Sequence, residues 1–372
     1  MAADETSNPL LRYRHRLAAH QRALAGGIDD ARFVEMVTAF DDAVAGVWGH
    51  GFRTSPVVDG TAVARAAGLD FIDEVGSALW IKDETGTVGA SHKARHLAGV
   101  ALDLLVGREL GSPLPDRLAI ASCGNAAIAA SVIARAIDRP LDVYVPLWAD
   151  DTVLGELARF GATVHRCERR DGEPGDPCYL RFTDAVADGR HAFSVQGTDT
   201  PTTFDAARTI GWELLDQVGP LDRLYVQVGG GALATAVGDA VGASLHPVQA
   251  DGCAPLDRAW SLVGPDGDLA AAAADAERYM WPWDDPASAA TGILDDVTYD
   301  WVPLLQTVQH TGGHTVVAPE ENVLAAHALA RATTTVPVCI TGTAGLAGLM
   351  TDPPTGPARV AVLFTGLDRH TA

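Results

Sequence analysis

From Ala78 onward, short apolar runs alternate with helical stretches, and this alternation constrains the fold more than anything else in the chain. Leu79–Ile81, Leu118–Ala121, Val143–Val145, Thr163–His165 and Phe193–Val195 read as a first series of strands. Helical runs lie between them, near Lys93–Arg108, Ala126–Ala136, Val153–Phe160 and Leu180–Ala187. A second series holds Leu224–Val228, Val248–Ala250, Thr315–Val317 and Val360–Phe364. Its helices fall near Phe204–Val218, Leu233–Val241, Glu321–Arg331 and Ala344–Met350. Apolar strands separated by helices imply mainly parallel sheets covered by helices on both faces, an α/β fold of three-layer α/β/α domains. In such sheets ligands bind beyond the carboxyl ends of the strands.

Two amphipathic helices precede this pattern, near Leu10–Ala25 and Asp29–Ala45, and a turn-rich passage follows around Trp48–Pro56. Between Gly264 and Pro286 the periodicity lapses. Pro265–Ala274 is rich in Asp, Ala and Gly, and Trp281–Pro286 in Trp, Pro and Asp, which reads as surface excursion and loop. No internal repeat is visible.

With 372 residues, 47% of them hydrophobic, the chain can bury a large core, in two domains or one large unit. Its formal net charge of −21 argues against nucleic acid and anionic membrane as partners. No run approaches the roughly 18 apolar residues of a membrane span. Met1-Ala2-Ala3-Asp4-Glu5 is unlike a signal peptide, so a cytoplasmic location is expected. The cysteines Cys123, Cys167, Cys178, Cys253 and Cys339 fit neither a zinc-ligand spacing nor a disulfide framework. They are expected to be reduced and mostly buried, and no metal ligands are assigned.

Three strand-to-helix loops carry chemistry. Gly89-Ala90-Ser91-His92-Lys93-Ala94-Arg95 puts Lys93 at the start of a helix. The positive end of the helix dipole disfavours an ammonium there, and desolvation acts in the same direction. A neutral amine is a nucleophile toward an aldehyde. Ala121-Ser122-Cys123-Gly124-Asn125 closes a strand and opens a small-residue helix. Its amides and the Ser122 hydroxyl suit a carboxylate, and Asn125 suits a phenolic oxygen. Val228-Gly229-Gly230-Gly231-Ala232-Leu233 exposes a nest of N–H donors suited to phosphate. No Lys-Ser/Thr follows, which excludes a nucleoside-triphosphate loop. Gly229-x-Gly231-x-x-Ala234 with Asp251 after the next strand also fits a dinucleotide fingerprint, so an NAD-binding oxidoreductase is an open alternative at this point. Finally, Val362-Leu363-Phe364-Thr365-Gly366 ends a strand in a hydroxyl residue and a glycine.

Together these segments resemble the pyridoxal-phosphate enzymes of the tryptophan-synthase-β superfamily. That group includes threonine synthase, threonine and serine dehydratases, and cysteine synthase. The resemblance spans about Thr54 to Arg369 and rests on the order of the motifs and on the separations from Lys93 to Asn125 and to Gly229. The branch it resembles most is threonine synthase. Ala121–Asn125, Leu363-Phe364-Thr365-Gly366 and Leu11-Arg12-Tyr13-Arg14 are similar to segments of that enzyme. His92 stands where that branch has Phe, as in the tryptophan synthase β chain. Ala94-Arg95-His96 replaces the usual Asp-Arg-Gly, and Ala232 stands where a fourth glycine is common.

The resemblance implies pyridoxal 5′-phosphate as cofactor and Lys93 as the catalytic Schiff-base lysine. It implies cofactor contacts from Asn125, Gly229, Gly230, Gly231, Ala232, Leu233 and Thr365. It implies a grip on the substrate carboxylate from Ser122, Cys123 and Gly124, and it places Ala290-Thr291-Gly292-Ile293 on a loop lining the ring. The implied architecture is a large domain of residues 1–87 and 196–372, with a helical extension over 1–50. A small domain of 88–195 is inserted in it. The implied activity is β-elimination, alone or followed by addition, on a small hydroxylated or β-substituted amino acid. This makes the chain a carbon–oxygen lyase and most simply a homodimer. Threonine synthase proper, acting on O-phosphohomoserine, and a non-catalytic binder of the cofactor are the alternatives within the resemblance.

Overall fold

In a computed structural model, residues 7–173 and 175–369 are described. The first six residues of the expected extension and the last three of the large domain lie outside them. The strands are β1 (Val57–Asp59), β2 (Ala78–Asp83), β3 (Leu118–Ala121), β4 (Leu141–Pro146), β5 (Thr163–Cys167), β6 (His191–Ala192), β7 (Arg223–Gln227), β8 (Ser244–Ala250), β9 (Val316–Ala318) and β10 (Arg359–Phe364). They form two sheets, one in each of two compact units.

The four-stranded unit holds the described residues up to Thr54 together with Thr87–Thr209. Its sheet runs β5-β4-β3-β6 and is parallel throughout. Its principal helices are α1 (Ala18–Ala25), α2 (Asp30–Trp48), α3 (Lys93–Glu109) and α4 (Asn125–Ala136). Helix α2 starts where the Asp29 carboxylate accepts the Arg32 amide, and it stops at Gly49, whose φ of 104° few other residues tolerate. Helix α4 is buried along Ala126–Ala134, as its all-round apolar sequence requires.

The six-stranded unit holds Ser55–Gly86 and the described residues from Ile210 on. Its sheet runs β1-β2-β10-β7-β8-β9, with β1 antiparallel and the rest parallel. Its principal helices are α5 (Thr209–Val218), α6 (Ala232–Val241), α7 (Trp301–Thr311), α8 (Glu320–Thr333) and α9 (Ala344–Thr351). Successive strand residues face opposite sides. Accordingly Val360, Val362 and Phe364 join Tyr225 in one core with Val323, Ala326, Leu346 and Leu349 of α8 and α9. Ala361 and Leu363 join Leu224 and Val226 in a second core with Leu214, Val237, Leu304 and Val308 of α5, α6 and α7. Two cores on one sheet make the expected three layers. Residues 87–209 interrupt the six-stranded unit between β2 and β7.

Several expectations need correction. The chain up to Thr54 groups with the four-stranded unit rather than the larger domain, and the inserted stretch runs to Thr209, not 195. The cause is visible in hydrogen bonds. The Asp205 carboxylate accepts the Ala18 amide at 2.8 Å and the Ala19 amide at 3.1 Å, capping α1 from within the inserted stretch. Arg32 of α2 likewise donates to Glu109 at 2.7 Å. That cap also breaks the helix expected over Leu10–Ala25 into Pro9–Arg12, a 3₁₀ turn at Arg14–Arg16, and α1. The strand expected at Phe193–Val195 shrinks to β6. Phe193 still donates to the Ala119 carbonyl at 2.8 Å, but the Ser194 hydroxyl accepts the Gln196 amide at 3.2 Å and turns the chain away. Helices at Pro255–Val263 and Trp301–Thr311 and strand β1 were not foreseen, and the excursion over Pro265–Ala274 contains a helix at Leu269–Ala274 capped by Asp268. All five cysteines carry free thiols. No described helix is long and apolar enough to cross a membrane.

Candidate active site

The candidate residues fall into two groups, half-sites taken each by itself, one in each unit. In the four-stranded unit the lysine segment begins with a 3₁₀ turn at Val88–Ala90. Gly89 has φ 71°, and a methyl added there would stand 3.3 Å from Ala129 Cα of α4. Glycine at 89 thus lets the lysine loop lie against the helix that Asn125 begins. Ser91 is extended, His92 forms the N-cap without a side-chain cap bond, and Lys93 is the first residue of α3, as expected. Lys93 is partly exposed, while Ser91 and Ala94–Leu102 are buried.

Around Lys93 the burial is deep. His96, one turn on, is wholly buried, and burial, then the positive charge of Lys93, push its pKa down to about 3. It is therefore neutral. The Thr203 carbonyl, 3.1 Å away, can only accept, so Nδ1 carries the proton. His96 Nε2, the Ser91 hydroxyl and the Thr203 hydroxyl are buried with no hydrogen-bond partner among the described residues. Arg95 is fully buried and donates to Thr209 Oγ1 at 3.0 Å and to the Arg53 carbonyl at 3.2 Å.

The second loop of this half leaves β3 at Ala121. The Ser122 amide donates to the Tyr144 carbonyl of β4 at 3.2 Å, and Gly124 caps α4, whose first residue is Asn125. No side chain caps α4. Residues 121–125 are partly exposed, whereas Leu118–Ile120 and Ala126–Ala134 are buried. The sequence thus dips into the core on either side of a loop that a ligand can reach. Lys93, Ser122, Cys123, Gly124 and Asn125 all belong to this half.

Gly229, Gly230, Gly231, Ala232, Leu233 and Thr365 belong to the six-stranded unit. Gly231, at φ 102°, turns the chain so that α6 starts at Ala232, again without a side-chain cap. Only glycine enters this backbone region without strain. A methyl on Gly229 would lie 2.6 Å from Asp295 Oδ2 and 3.1 Å from Ile293 Cα. Hence the loop is lined by the segment after the 3₁₀ turn Thr291–Ile293, which places the expected Ala290–Ile293 loop beside the glycines. The glycines add no side chain of their own before the amides at the start of α6, the kind of backbone that holds a phosphate monoester, with the Asp295 carboxylate beside Gly229.

Thr365 follows β10, the neighbour of β7, and is 4% exposed. Its hydroxyl accepts from Gln227 Nε2 at 2.7 Å, and the same amide donates to the Gly342 carbonyl at 3.0 Å. Gln227 was not foreseen. The available signal was a polar residue closing an otherwise apolar run just before the glycines. Gln227 Oε1 is buried and has no partner among the described residues.

Solved structures of similar fold include the serine racemase of maize, 16% identical over 90% of this chain and 94% of that one, with a TM-score of 0.67. They also include threonine deaminase isoform 2 of Solanum lycopersicum, 15% identical over 91% and 90%, at 0.68. An L-serine ammonia-lyase of Rhizomucor miehei is 16% identical over 85% and 94%, at 0.64. No curated protein matches the chain in sequence. A family model for pyridoxal-phosphate dependent enzymes matches residues 54–366, which displaces the nicotinamide reading of Gly229–Ala234 and Asp251. With that match over most of its length and the fold of those enzymes, the chain belongs to the pyridoxal-phosphate-dependent enzymes of the tryptophan-synthase-β superfamily.

Proposed function

We propose that the protein is a lyase that removes a β-substituent from a small hydroxylated amino acid. The bound cofactor supplies an electron sink for the substrate α carbon, and the protein selects the reaction by orientation and electrostatics. Lys93 would hold the cofactor covalently and would be the base for the proton of the substrate α carbon. The amides of Gly229–Leu233 would hold the phosphate. Asn125 would meet the ring oxygen, and the loop of Ser122, Cys123 and Gly124 would orient the substrate carboxylate.

The observation that carries this reading is the 2.7 Å bond from Gln227 to Thr365. An amide N–H occupies the Thr365 oxygen as acceptor, which turns the hydroxyl toward donating. A hydroxyl donor at the ring nitrogen would not hold that nitrogen protonated, so the cofactor would supply a weaker electron sink. Loss of a β leaving group stays accessible, while transamination and racemisation suffer.

Racemisation is the second reading, because serine and aspartate racemases share the fold.

One assay separates the readings. The purified protein is incubated with serine, threonine, aspartate and O-phosphohomoserine. Release of ammonia and a 2-oxo acid supports the lyase. Appearance of the opposite enantiomer supports the racemase, and release of phosphate supports threonine synthase. Lys93→Ala should abolish activity and the cofactor's visible absorbance together; a variant that keeps both removes Lys93 from the mechanism.

A further inference from the structure

We propose that His246, His314 and Asp352 form a site for Zn²⁺, or a divalent transition metal of the same class, at the amino-terminal edge of the six-stranded sheet. This edge is opposite the glycine loop and Thr365. His246 lies early in β8, His314 two residues before β9, and Asp352 directly after α9. One ligand atom from each lies within 4.8 Å of the others.

Several independent features support the site. His246 is 2% exposed, and its Nδ1 has no hydrogen-bond partner among the described residues. Its Nε2 is 3.2 Å from the Ser244 hydroxyl, and its ring stacks on Tyr225 at 4.7 Å. A metal-bound histidine is usually oriented in this way through its second nitrogen. The site edge is also built to accept a cation. His314 Nε2 stands 2.9 Å from Asp352 Oδ2, and the two imidazoles meet edge to face at 4.5 Å. Zinc–ligand bonds near 2.0–2.2 Å set tetrahedral ligand separations of roughly 3.3 Å. The His314–Asp352 pair needs to open by only a few tenths of an ångström.

Two imidazoles and one carboxylate suit zinc and its neighbours better than calcium or magnesium, and three protein ligands leave a position for water. A second trio, His15, His20 and Asp30 in the four-stranded unit, is the natural comparison. There the Arg14 guanidinium already grips Asp30 with bonds of 2.7 and 3.0 Å. At Asp352 the corresponding cation, Arg223, stands off at 3.7 Å and also donates to the Tyr225 hydroxyl. A metal here would tie together the starts of β8 and β9 and the end of α9, away from the chemistry.

The test uses holoenzyme freed of metal by a chelator and titrated with ZnCl₂ against a chromophoric competitor. One equivalent should bind at micromolar affinity or tighter. His314→Ala and Asp352→Asn, at positions 46% and 40% exposed, should each weaken it at least about tenfold. His15→Ala should leave it unchanged. Zinc at a hundredfold excess over Kd should raise the melting temperature of the native protein by roughly 5–10 °C, and that of His314→Ala much less. Binding no tighter in the native protein than in His314→Ala, or binding lost with His15→Ala instead, overturns the proposal.

Discussion

Lys82 offers the most direct test of how the six-stranded unit is held together. It is 0% exposed on β2, and its ammonium donates to Glu213 Oε2 at 2.7 Å, to Gln217 Oε1 at 2.9 Å and to the Ser55 carbonyl at 2.8 Å. Glu213 is also 0% exposed. Lys82→Met keeps the stem and removes the charge. The Ser55 carbonyl retains a donor, Gln217 Nε2 at 2.9 Å, and Glu213 Oε2 retains the Ser55 amide at 3.0 Å, while the Ser55 hydroxyl donates to Glu84. What the substitution removes is the cation bound to a buried carboxylate. Removing one partner of such a pair costs about 3–5 kcal/mol, and the retained donors place this case near 3 kcal/mol. For a unit of this size each kcal/mol lowers the melting temperature by about 2–4 °C, so the shift should be about 6–12 °C. Thermal unfolding followed by circular dichroism reads it. Lys82→Met combined with Glu213→Leu should recover part of the loss, because the carboxylate that Lys82 touches is then gone, while Glu84, also 0% exposed and bonded to the Ser55 hydroxyl, keeps its charge in the same cluster. A single substitution costing under about 1 kcal/mol would show that the pair is not a structural tie.

The remaining predictions concern the two half-sites. Gly231→Ala forces a side chain into φ 102° and should cost about 1–2 kcal/mol in stability while weakening retention of the cofactor, read by dialysis and visible absorbance. His96 has a folded pKa near 3, below its ordinary value near 6.5, so the unfolded chain binds a proton in that window that the folded one does not. Stability should therefore be fully present above pH 6.5 and fall as the pH drops toward 3. His96→Asn should flatten the fall, and an unchanged pH profile would refute it. Thr365→Asp puts a carboxylate where a hydroxyl now accepts from Gln227; elimination should drop and α-proton exchange into deuterated water rise, and an unchanged ratio would sink the assignment of Thr365.

Much of the fold was legible because the chain writes it in apolar segments. Leu118–Ala121 is strand to the residue, and α6 and α9 fall within a residue of their expected bounds. Burial by sheet and helix leaves such runs no alternative. What stayed hidden depends on contacts distant in sequence. The grouping of the first helices with the four-stranded unit rests on Asp205 capping amides at Ala18 and Ala19, a pairing no local pattern encodes. The helices at Pro255–Val263 and Trp301–Thr311 are a different case: their stripes, Leu256 and Ala259 in one and Trp301, Leu304, Leu305 and Val308 in the other, were present in the sequence and were passed over. The loop residues of the half-sites were visible as glycines and small polar residues at strand ends. Gln227 was not, since one amide at the end of an apolar run gains meaning only when Thr365 is 2.7 Å away.

The two half-sites solve the same physical problem in different ways. Each strand must end where its backbone amides can meet a ligand, yet the helix that follows has to start without a side chain filling that space. In the six-stranded unit glycine does this: Gly229 has no room for a side chain beside Asp295, and Gly231 provides the positive φ that starts α6. In the four-stranded unit burial contrast does it: a strand and a helix with almost no exposure bracket the five partly exposed residues from Ala121 to Asn125. Both helices begin without a side-chain cap. Most described helices of this chain lack that bond too. What marks α4 and α6 is the N-cap residue itself, Gly124 and Gly231, a glycine that costs a helix only about a few tenths of a kcal/mol against a side-chain cap and leaves the first amides without a side chain of its own over them.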